Sequence, residues 1–199
     1  MVLMVLVNRI TAFCIKNGII ADDDADWFSY ALERRICNCA AVLLLFPLVC
    51  WLSNWIVSLS FFLSFYFLRK RASGFHAKTF AGCFLFSLIS TFIIFRFAIS
   101  LCGKTVQLGI CIVSTALIFG LAPFDHPNMH MSSAELEASR KIARRNTIIL
   151  DTAFLVAHIC SAYDLAAGTS LALGYTALLL LLAYGIPNHR SRKEDIVNE

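Results

Sequence analysis

The sequence has 199 residues, a mean hydropathy of +0.74, 59% hydrophobic residues and only 15% charged residues, against about one-quarter charged in soluble domains. This composition excludes an ordinary soluble protein, and its apolar runs are continuous and long enough to cross a bilayer, which excludes a β-barrel. The net charge of +4 comes from short basic clusters between apolar runs, which membrane topology explains better than a nucleic-acid partner does.

The N-terminal segment, 1–36, begins with an apolar stretch that Arg9 and Lys16 interrupt. The stretch lacks the basic start and the small-residue cleavage site of a signal peptide. The pattern instead predicts an amphipathic helix over 2–20 that lies in the membrane interface. The acidic residues 22–26 after it are predicted to form a solvated loop.

Residues 37–68 carry no charged side chain and are too many for one helix of about 20 residues. A single tilted helix would place the following basic cluster across the membrane from Arg34 and Arg35. The positive-inside rule favours both clusters on one side. We therefore predict two short transmembrane helices that form a hairpin and turn near Ser53 and Asn54.

Four further spans are predicted at 79–99, 104–122, 147–165 and 168–186. All 17 Lys and Arg residues except Arg96 and Lys104 then lie outside the spans, on one side of the membrane. We predict an all-α integral membrane protein, a single polytopic domain over 1–199 with six transmembrane helices, multi-pass in the cell membrane. Four segments face the cytoplasm: the N-terminal 1–36, the loops 69–78 and 123–146, and the tail 187–199.

The basic loop 123–146 contains the pattern Ser132-Ser-Ala-Glu135, which predicts a capping box and a cytoplasmic helix through about residue 145. Its basic residues share one broad face of that helix: Arg140, Lys141, Arg144 and Arg145. This face either binds an acidic partner or only sets topology and contacts anionic lipid. Both interpretations stay open, and they are not exclusive.

The candidate catalytic residues lie in the stretch Arg69-Lys-Arg-Ala-Ser-Gly-Phe-His-Ala-Lys-Thr-Phe-Ala-Gly-Cys83. A cysteine reacts as the thiolate, which cations, a histidine and a helix N-terminus favour. Among the eight cysteines, Cys83 has such neighbours, and the spacing of the eight predicts neither a zinc site nor a disulfide framework. The alternative is that Cys83 is a small packing residue of the third span.

The spacing of His76 and Cys83 sets a condition on the structure. On one straight helix seven residues rise about 10.5 Å, whereas a base and its nucleophile must come within about 3 Å. A dyad therefore requires the chain to leave the helix between them. Gly74 can supply the turn and Thr79 can cap the next helix.

The pattern Arg69-x4-Gly74-x-His76-x6-Cys83, placed after two short spans, resembles the AgrB (accessory gene regulator protein B) family of Gram-positive bacteria. The segment Ala122-Pro-Phe-Asp-His-Pro-Asn128 after the fourth span is similar to that family too. The resemblance covers nearly the whole chain in length, number of spans and order of motifs.

Members of that family are membrane cysteine endopeptidases that process AgrD-type propeptides into cyclic autoinducing peptides for quorum sensing. The resemblance implies a catalytic dyad of His76 and Cys83 on the cytoplasmic side. Cys83 would attack the peptide carbonyl and form an acyl-enzyme thioester, with His76 as base and then acid. An internal Cys or Ser of the propeptide would then close a thiolactone or lactone.

The resemblance also implies an AgrD-like propeptide as partner, a membrane lipid environment and no cofactor, and it suggests a homodimer. Propeptides of this kind have an amphipathic N-terminal part and an acidic C-terminal part. Basic side chains are therefore candidates for binding the acidic part. These substrate-binding candidates are Arg69, Lys70, Arg71, Arg140, Lys141, Arg144 and Arg145.

Ionisable residues inside the spans support a second hypothesis, because such residues are commonly functional. Asp151 and His158 lie seven residues apart on one face of the fifth span. Either can orient His76 as a third catalytic group. Alternatively, both serve with Arg96 in a small-molecule or ion transporter, although the sequence lacks the broken-helix or repeat signature of one.

A metal site is the weakest candidate. His126 and His130 have a helical i, i+4 spacing, and Asp125 adds a third ligand. Pro127 between them disfavours a helix interior, and no HExxH-type glutamate follows. We predict a polar loop and no metal.

Overall fold

The computed structural model describes residues 2–75, 80–98, 103–124 and 132–185. The described residues form helices and connecting turns without strands, which confirms the predicted all-α class. The chain divides into two compact units, Met1–Leu45 and Phe46–Glu199.

The first unit contains α1 (Val2–Lys16), a short 3-10 turn at Asp22–Asp24 and the beginning of α2 (Ala25–Leu52). The predicted N-terminal helix is present, and it ends before Gly18, whose φ is 67°. The Gly18 N–H donates to the Ile15 carbonyl, and the next N–H donates to the Cys14 carbonyl, both at 2.9 Å. Glycine tolerates this left-handed position, which is typical of a Schellman helix end.

In the second unit, the end of α2 and α3 (Trp55–Ala72) form the predicted hairpin. The Asn54 side chain caps α3 by accepting the Val57 N–H at 2.9 Å. The rings of Phe46 and Phe62 lie 5.7 Å apart, at nearly equal distances along the chain from the turn. The helix break at 53–54 confirms the predicted turn, but α2 begins at Ala25, so the first of the two predicted short helices extends into the segment predicted to precede the spans.

Four more helices follow: α4 (Phe80–Ile93), which a π-helical segment at Ile94–Ala98 extends, α5 (Lys104–Leu121), α6 (Ser133–Ile159) and α7 (Tyr163–Gly185). The capping box at the start of α6 is confirmed. The Ser132 N–H donates to the Glu135 carboxylate at 2.9 Å, and the Glu135 N–H donates to the Ser132 hydroxyl at 3.3 Å. The Ser132 N–H and the Ser132 hydroxyl, which donates to the same carboxylate at 2.8 Å, lower the pKa of Glu135.

The central helix is α7, which packs against α3, α5 and α6 and is buried along most of its length. One side of it joins a cluster with Phe61 and Phe95, and the other side joins a cluster with Ile118 and Phe154. A helix that is apolar all round is expected in such a position. The two clusters place different residues of α7 in two separate cores.

Gly168 allows the closest approach between α7 and α3. A Cβ atom at this position would clash with the Ser60 hydroxyl and would lie 2.5 Å from the Val57 carbonyl oxygen and 2.9 Å from the Phe61 nitrogen. Two of these atoms belong to the backbone and cannot rotate away. Small residues commonly let helix backbones approach in this way in membrane bundles.

We expect Gly168→Ala to lower the free energy of unfolding by about 1–3 kcal/mol or more, because the added methyl group overpacks the α3–α7 contact. The measurement is thermal unfolding of the purified protein in detergent. Gly109→Ala on α5 is the matched control, since no heavy atom lies within 4 Å of its Cβ position. Equal melting temperatures for the wild type and Gly168→Ala would contradict the close contact.

Helix α6 differs from the sequence prediction, because it continues without a break from the capping box to Ile159. The predicted cytoplasmic helix and the predicted fifth span are thus one helix. The connection to α7 lies at 160–162 rather than at the predicted 165–168, which changes the predicted bounds of the last two spans. Ser161 takes a left-handed φ of 61°, and the Ala162 N–H donates to the Ala157 carbonyl at 2.8 Å.

Contacts between helices define two ends of the second unit. The Phe75 N–H, just after α3, donates to the Leu179 carbonyl of α7 at 3.0 Å. The Tyr184 hydroxyl of α7 donates to the Leu121 carbonyl of α5 at 3.0 Å. The Asn146 amide of α6 donates to the Phe67 carbonyl of α3 at 3.0 Å. The C-terminal ends of α3, α5 and α7 therefore lie beside the first half of α6. We call this the basic end, because it contains both basic clusters, 69–71 and 140–145.

The opposite end contains the hairpin turn and the starts of α5 and α7. Trp51 and Trp55 flank the turn with exposed side chains, and the Lys104 ammonium lies 3.8 Å from the centre of the Tyr163 ring. Tryptophan and tyrosine are enriched where membranes meet water. This arrangement agrees with an aromatic end and a basic end on opposite sides of a bilayer.

Two helices are long and apolar enough to cross a membrane, Lys104–Leu121 and Tyr163–Gly185. Shorter apolar helices lie at Cys39–Leu52 and Gly82–Phe97. Large apolar side chains are exposed on the second unit, among them Ile112 at 62% and Ile159 at 80%. Soluble proteins rarely expose so much apolar surface, but the number of six transmembrane helices stays a prediction.

Candidate functional site

The described chain leaves helix α3 directly before the position of His76, and the break that the dyad requires between His76 and Cys83 stays a prediction. Helix α3 ends at Ala72 and α4 begins at Phe80. Ser73 and Gly74 follow α3 with φ values of 58° and 122°, both on the left-handed side. His76 and Thr79 lie outside the described residues.

Arg69 binds the described part of this connection, residues 73–75, which we call the α3 loop. One terminal nitrogen of its guanidinium donates to the Ser73 carbonyl, and the other donates to the Phe75 carbonyl at 2.7 Å. A planar guanidinium is well suited to two such parallel bonds. The Phe75 carbonyl belongs to the peptide group that joins Phe75 to His76, so Arg69 fixes the chain directly before the predicted base.

Phe75 fixes the α3 loop to two helices. Its N–H donates to the Leu179 carbonyl of α7 at 3.0 Å, and its ring lies 5.1 Å from the ring of Phe86 on α4. Just before the loop, the Ala72 carbonyl accepts the Phe124 N–H at 3.1 Å. The loop is therefore bound to the bundle at its beginning and at its end.

Cys83 is the fourth residue of α4 and lies in its first turn, half-buried and not in a disulfide. The unpaired N–H groups and the dipole of a helix N-terminus favour a negative charge there. Ser87 and Ser90 follow at i+4 and i+7, so all three share one face of α4. The predicted nucleophile thus begins a polar stripe on an otherwise apolar helix.

Tyr175 of α7 contacts this polar stripe. Its hydroxyl oxygen lies 2.7 Å from the Ser90 hydroxyl oxygen. Only 5% of the Tyr175 surface is exposed. Tyr175 therefore joins α7 to the Cys83 face of α4.

The basic residues predicted to bind substrate fall into two groups. Lys70, Arg71, Arg140 and Arg145 have exposed side chains at the basic end, and Lys141 forms an exposed ion pair with Glu137 at 2.9 Å. The hydrogen bond from Lys141 lowers the pKa of Glu137. Arg140 and Lys141 also line a shallow depression of about 400 Å3.

Arg144 and Arg69 form the second group, because both donate to backbone carbonyls. The Arg144 guanidinium donates to the Phe119 carbonyl at 3.0 Å and lies 5.7 Å from the centre of the Phe119 ring. Phe119 is in the last turn of α5, where carbonyls lack partners within the helix. Arg144 thus stabilises a helix end, and Arg69 stabilises the α3 loop.

Asp151 binds partners on α5. Its carboxylate accepts the Thr115 hydroxyl at 2.9 and 3.0 Å and the Cys111 thiol at 3.2 Å. Cys111 belongs to the core between α7 and α5, whereas Tyr175 belongs to the core on the α3 side of α7. The structure gives Asp151 a role between α5 and α6, and an orienting role toward His76 stays a prediction.

Aromatic rings lie next to both His158 and Arg96. The His158 ring lies between Phe154, at 5.6 Å, and Tyr163, at 5.9 Å. Its Nδ1 atom has no hydrogen-bond partner within the described part of the chain. Arg96 lies exposed in the π-helical segment with its guanidinium 5.9 Å from the Phe97 ring.

The predicted loop with Asp125, His126 and His130 lies outside the described residues. Over 2–75, 80–98, 103–124 and 132–185, no group of three or more His, Cys, Asp or Glu side chains could hold a metal ion.

Sequence reasoning missed Tyr175, Ser90 and the Leu179 carbonyl. A signal existed for the first two. A tyrosine in a span needs a partner for its hydroxyl, and Ser90 lies on the Cys83 face of the preceding span. The Leu179 carbonyl carries no sequence signal, because any residue presents the same group.

A family model, Accessory gene regulator B (AgrB), matches residues 7–183 of the chain. The match includes His76, Cys83 and most of α7. Neither a curated protein nor a solved structure matches the chain.

Proposed function

Because the chain belongs to the AgrB family, whose members act at the membrane in quorum-sensing propeptide processing, we propose that it is a cysteine endopeptidase for an AgrD-like propeptide. The observation that supports this most is the break between α3 and α4. Its described part, residues 73–75, lies directly before the predicted base His76, and Arg69 and α7 fix this part of the chain.

In the proposed reaction the Cys83 thiolate attacks the carbonyl carbon of the scissile peptide bond, while His76 carries the thiol proton. The bond to nitrogen breaks, His76 gives the proton to the leaving amine, and the propeptide's C-terminal part departs. An acyl thioester of Cys83 remains. An internal thiol or hydroxyl of the propeptide then attacks this thioester, closes the ring and releases the Cys83 thiolate.

Ring closure must compete with hydrolysis of the thioester by water. A site that lies partly within an apolar bundle excludes water and favours the internal nucleophile. Cys83 is half-buried, and Phe86, three residues later on α4, packs against the core cluster that contains Tyr175. This burial supports a cyclising enzyme over a simple hydrolase.

The basic end gives the propeptide's acidic part a docking surface in this proposal. The exposed side chains of Lys70, Arg71, Arg140, Lys141 and Arg145 attract acidic residues, whereas Arg69 and Arg144 support the site through the backbone. The basic end, the termini and the dyad then face the cytoplasm, with six transmembrane helices in the cell membrane. We also propose that lipid surrounds the exposed apolar side chains and that the chain forms a homodimer.

Trapping the thioester tests the proposed reaction. The chain is co-expressed with an AgrD-like propeptide, quenched in acid and digested, and the Cys83 peptide is analysed by mass spectrometry. We expect an adduct with the mass of the propeptide's N-terminal part that hydroxylamine removes. Cys160, which is exposed at the opposite end, should stay unmodified; cleavage without any adduct on Cys83 would refute the mechanism.

A further inference from the structure

One helix contacts both parts of the proposed active site. The Leu179 carbonyl accepts the N–H of Phe75, which precedes His76, at 3.0 Å. One turn earlier on α7, the Tyr175 hydroxyl lies 2.7 Å from the Ser90 hydroxyl on the Cys83 face of α4. Because a helix turn is rigid, α7 sets the separation between the α3 loop and α4.

The direction of the Tyr175–Ser90 hydrogen bond follows from the other partner of Ser90. The Ser90 hydroxyl has one hydrogen, and it donates to the Phe86 carbonyl at 2.6 Å. The Ser90 oxygen then accepts from Tyr175, so the tyrosine is the donor. The hydrogen bonds run from α7 through Ser90 into the backbone of α4.

Aromatic packing fixes the Tyr175 hydroxyl in place. Its ring lies 5.2 Å from the Phe65 ring and 6.1 Å from the Phe61 ring, both on α3. With the ring fixed by α3, the hydroxyl has little freedom except to point at α4.

We propose that Tyr175 is a positioning residue for the peptidase reaction, whose hydrogen bond to Ser90 sets the rotation and depth of α4 and thereby the place of Cys83 relative to the α3 loop. Ser90 lies two turns, about 10.5 Å, from Cys83 along the axis. A rotation of α4 at Ser90 therefore moves the thiol sideways. This inference rests on the proposed function.

Tyr175→Phe tests the inference, because it removes the hydroxyl and keeps the packed ring. Purified protein in lipid nanodiscs is assayed with a synthetic propeptide. We expect kcat to fall about 10- to 100-fold, the size of effect that a displacement of about 1 Å can cause. KM should stay within about twofold, since the basic docking residues are untouched.

Variants of Ser90 test the same hydrogen bond from α4. Ser90→Ala should lower kcat as Tyr175→Phe does, and the double variant should lower it no further, because both changes remove one interaction. Ser90→Thr keeps a hydroxyl oxygen as acceptor and should retain most of the activity. Additive losses in the double variant would overturn the proposal.

Tyr184→Phe is the matched control, because it also removes a hydrogen bond that α7 makes, here to the Leu121 carbonyl of α5 at 3.0 Å. It should leave kcat unchanged. An equal loss of kcat in Tyr184→Phe, wild-type kcat in Tyr175→Phe, or an effect on KM alone would each overturn the positioning role.

Detection of the thioester on Cys83 distinguishes a failure of this inference from a failure of the proposed function. If the wild type forms the thioester and Tyr175→Phe cleaves normally, the positioning role is wrong and the peptidase stands. If the wild type forms none while it cleaves, both are wrong.

Discussion

Replacing Cys83 with alanine is expected to abolish cleavage of the propeptide, with a loss on the order of 10⁴-fold or more, as for other covalent nucleophiles. Alanine cannot form the thioester, and the remaining site supplies only binding and orientation. His76→Ala should cause a loss of the same order, because without a base the thiol keeps its proton. The measurement is the yield of cleaved, epitope-tagged propeptide on co-expression, by immunoblot.

Two matched variants control for damage to the fold. Cys160→Ala removes an exposed thiol at the end of α6 and should leave cleavage at the wild-type level. The melting temperature of Cys83→Ala should also stay near that of the wild type, since Cys83 is only half-buried. Cleavage that persists in Cys83→Ala or His76→Ala would eliminate the dyad. Loss of uptake or efflux on changing Asp151, with no such loss in Cys83→Ala, would favour the transporter alternative.

Gly74→Ala is expected to lower cleavage about 10²-fold while the helix bundle stays folded. The φ of Gly74 is 122°, which side chains with a Cβ rarely adopt, and a Cβ there would clash with the Arg69 guanidinium. Arg69 would have to leave the Ser73 and Phe75 carbonyls. The chain before His76 would then shift, and even a small shift of a catalytic group lowers the reaction rate strongly. The measurement is kcat with a synthetic propeptide.

Arg69→Lys tests the same contact with the positive charge retained. A lysine ammonium lacks the planar pair of nitrogens that contacts both carbonyls, so kcat should fall here as well. Lys70→Ala and Arg71→Ala, next to it but exposed, should raise KM and spare kcat. If Arg69→Lys cleaves like the wild type, then Arg69 acts through its charge on the substrate and not through the α3 loop.

The parts of the fold that local chemistry determines could be predicted. The hairpin turn follows from Asn54 as a cap between two apolar runs, and the start of α6 follows from Ser132 and Glu135. The break after Ala72 follows from Gly74. In each case a few neighbouring residues determine the result, without help from the rest of the chain.

The connection between α6 and α7 could not be predicted in the same way. A left-handed residue at a helix end is usually glycine, but Ser161 takes that position here. The nearest glycine, Gly168, lies inside α7 and serves the contact with Ser60 on α3. A glycine marks either a turn or a close approach, and the neighbouring helix decides which of the two applies.

The candidate site, too, could be predicted only in part from the sequence. Motif spacing predicts Cys83 as the nucleophile and marks Arg69 as a special basic residue, but it does not predict Ser87 and Ser90 of the polar stripe. Spacing does not show that Arg69 binds backbone carbonyls, because a basic cluster next to a membrane looks the same whether it binds substrate, lipid or its own loop. The Tyr175–Ser90 contact joins residues 85 positions apart, a distance at which only the folded chain brings them together.

The order of the helices along the chain has a consequence for biosynthesis. Helix α7 follows α3 and α4 in the sequence, so the ribosome makes Cys83 and the α3 loop long before Leu179 and Tyr175 exist to fix them. A nascent chain that has inserted only through α6 contains the predicted nucleophile without the helix that we propose aligns it. Under the proposed function, the chain therefore becomes competent late in its own synthesis, after α7 enters the membrane.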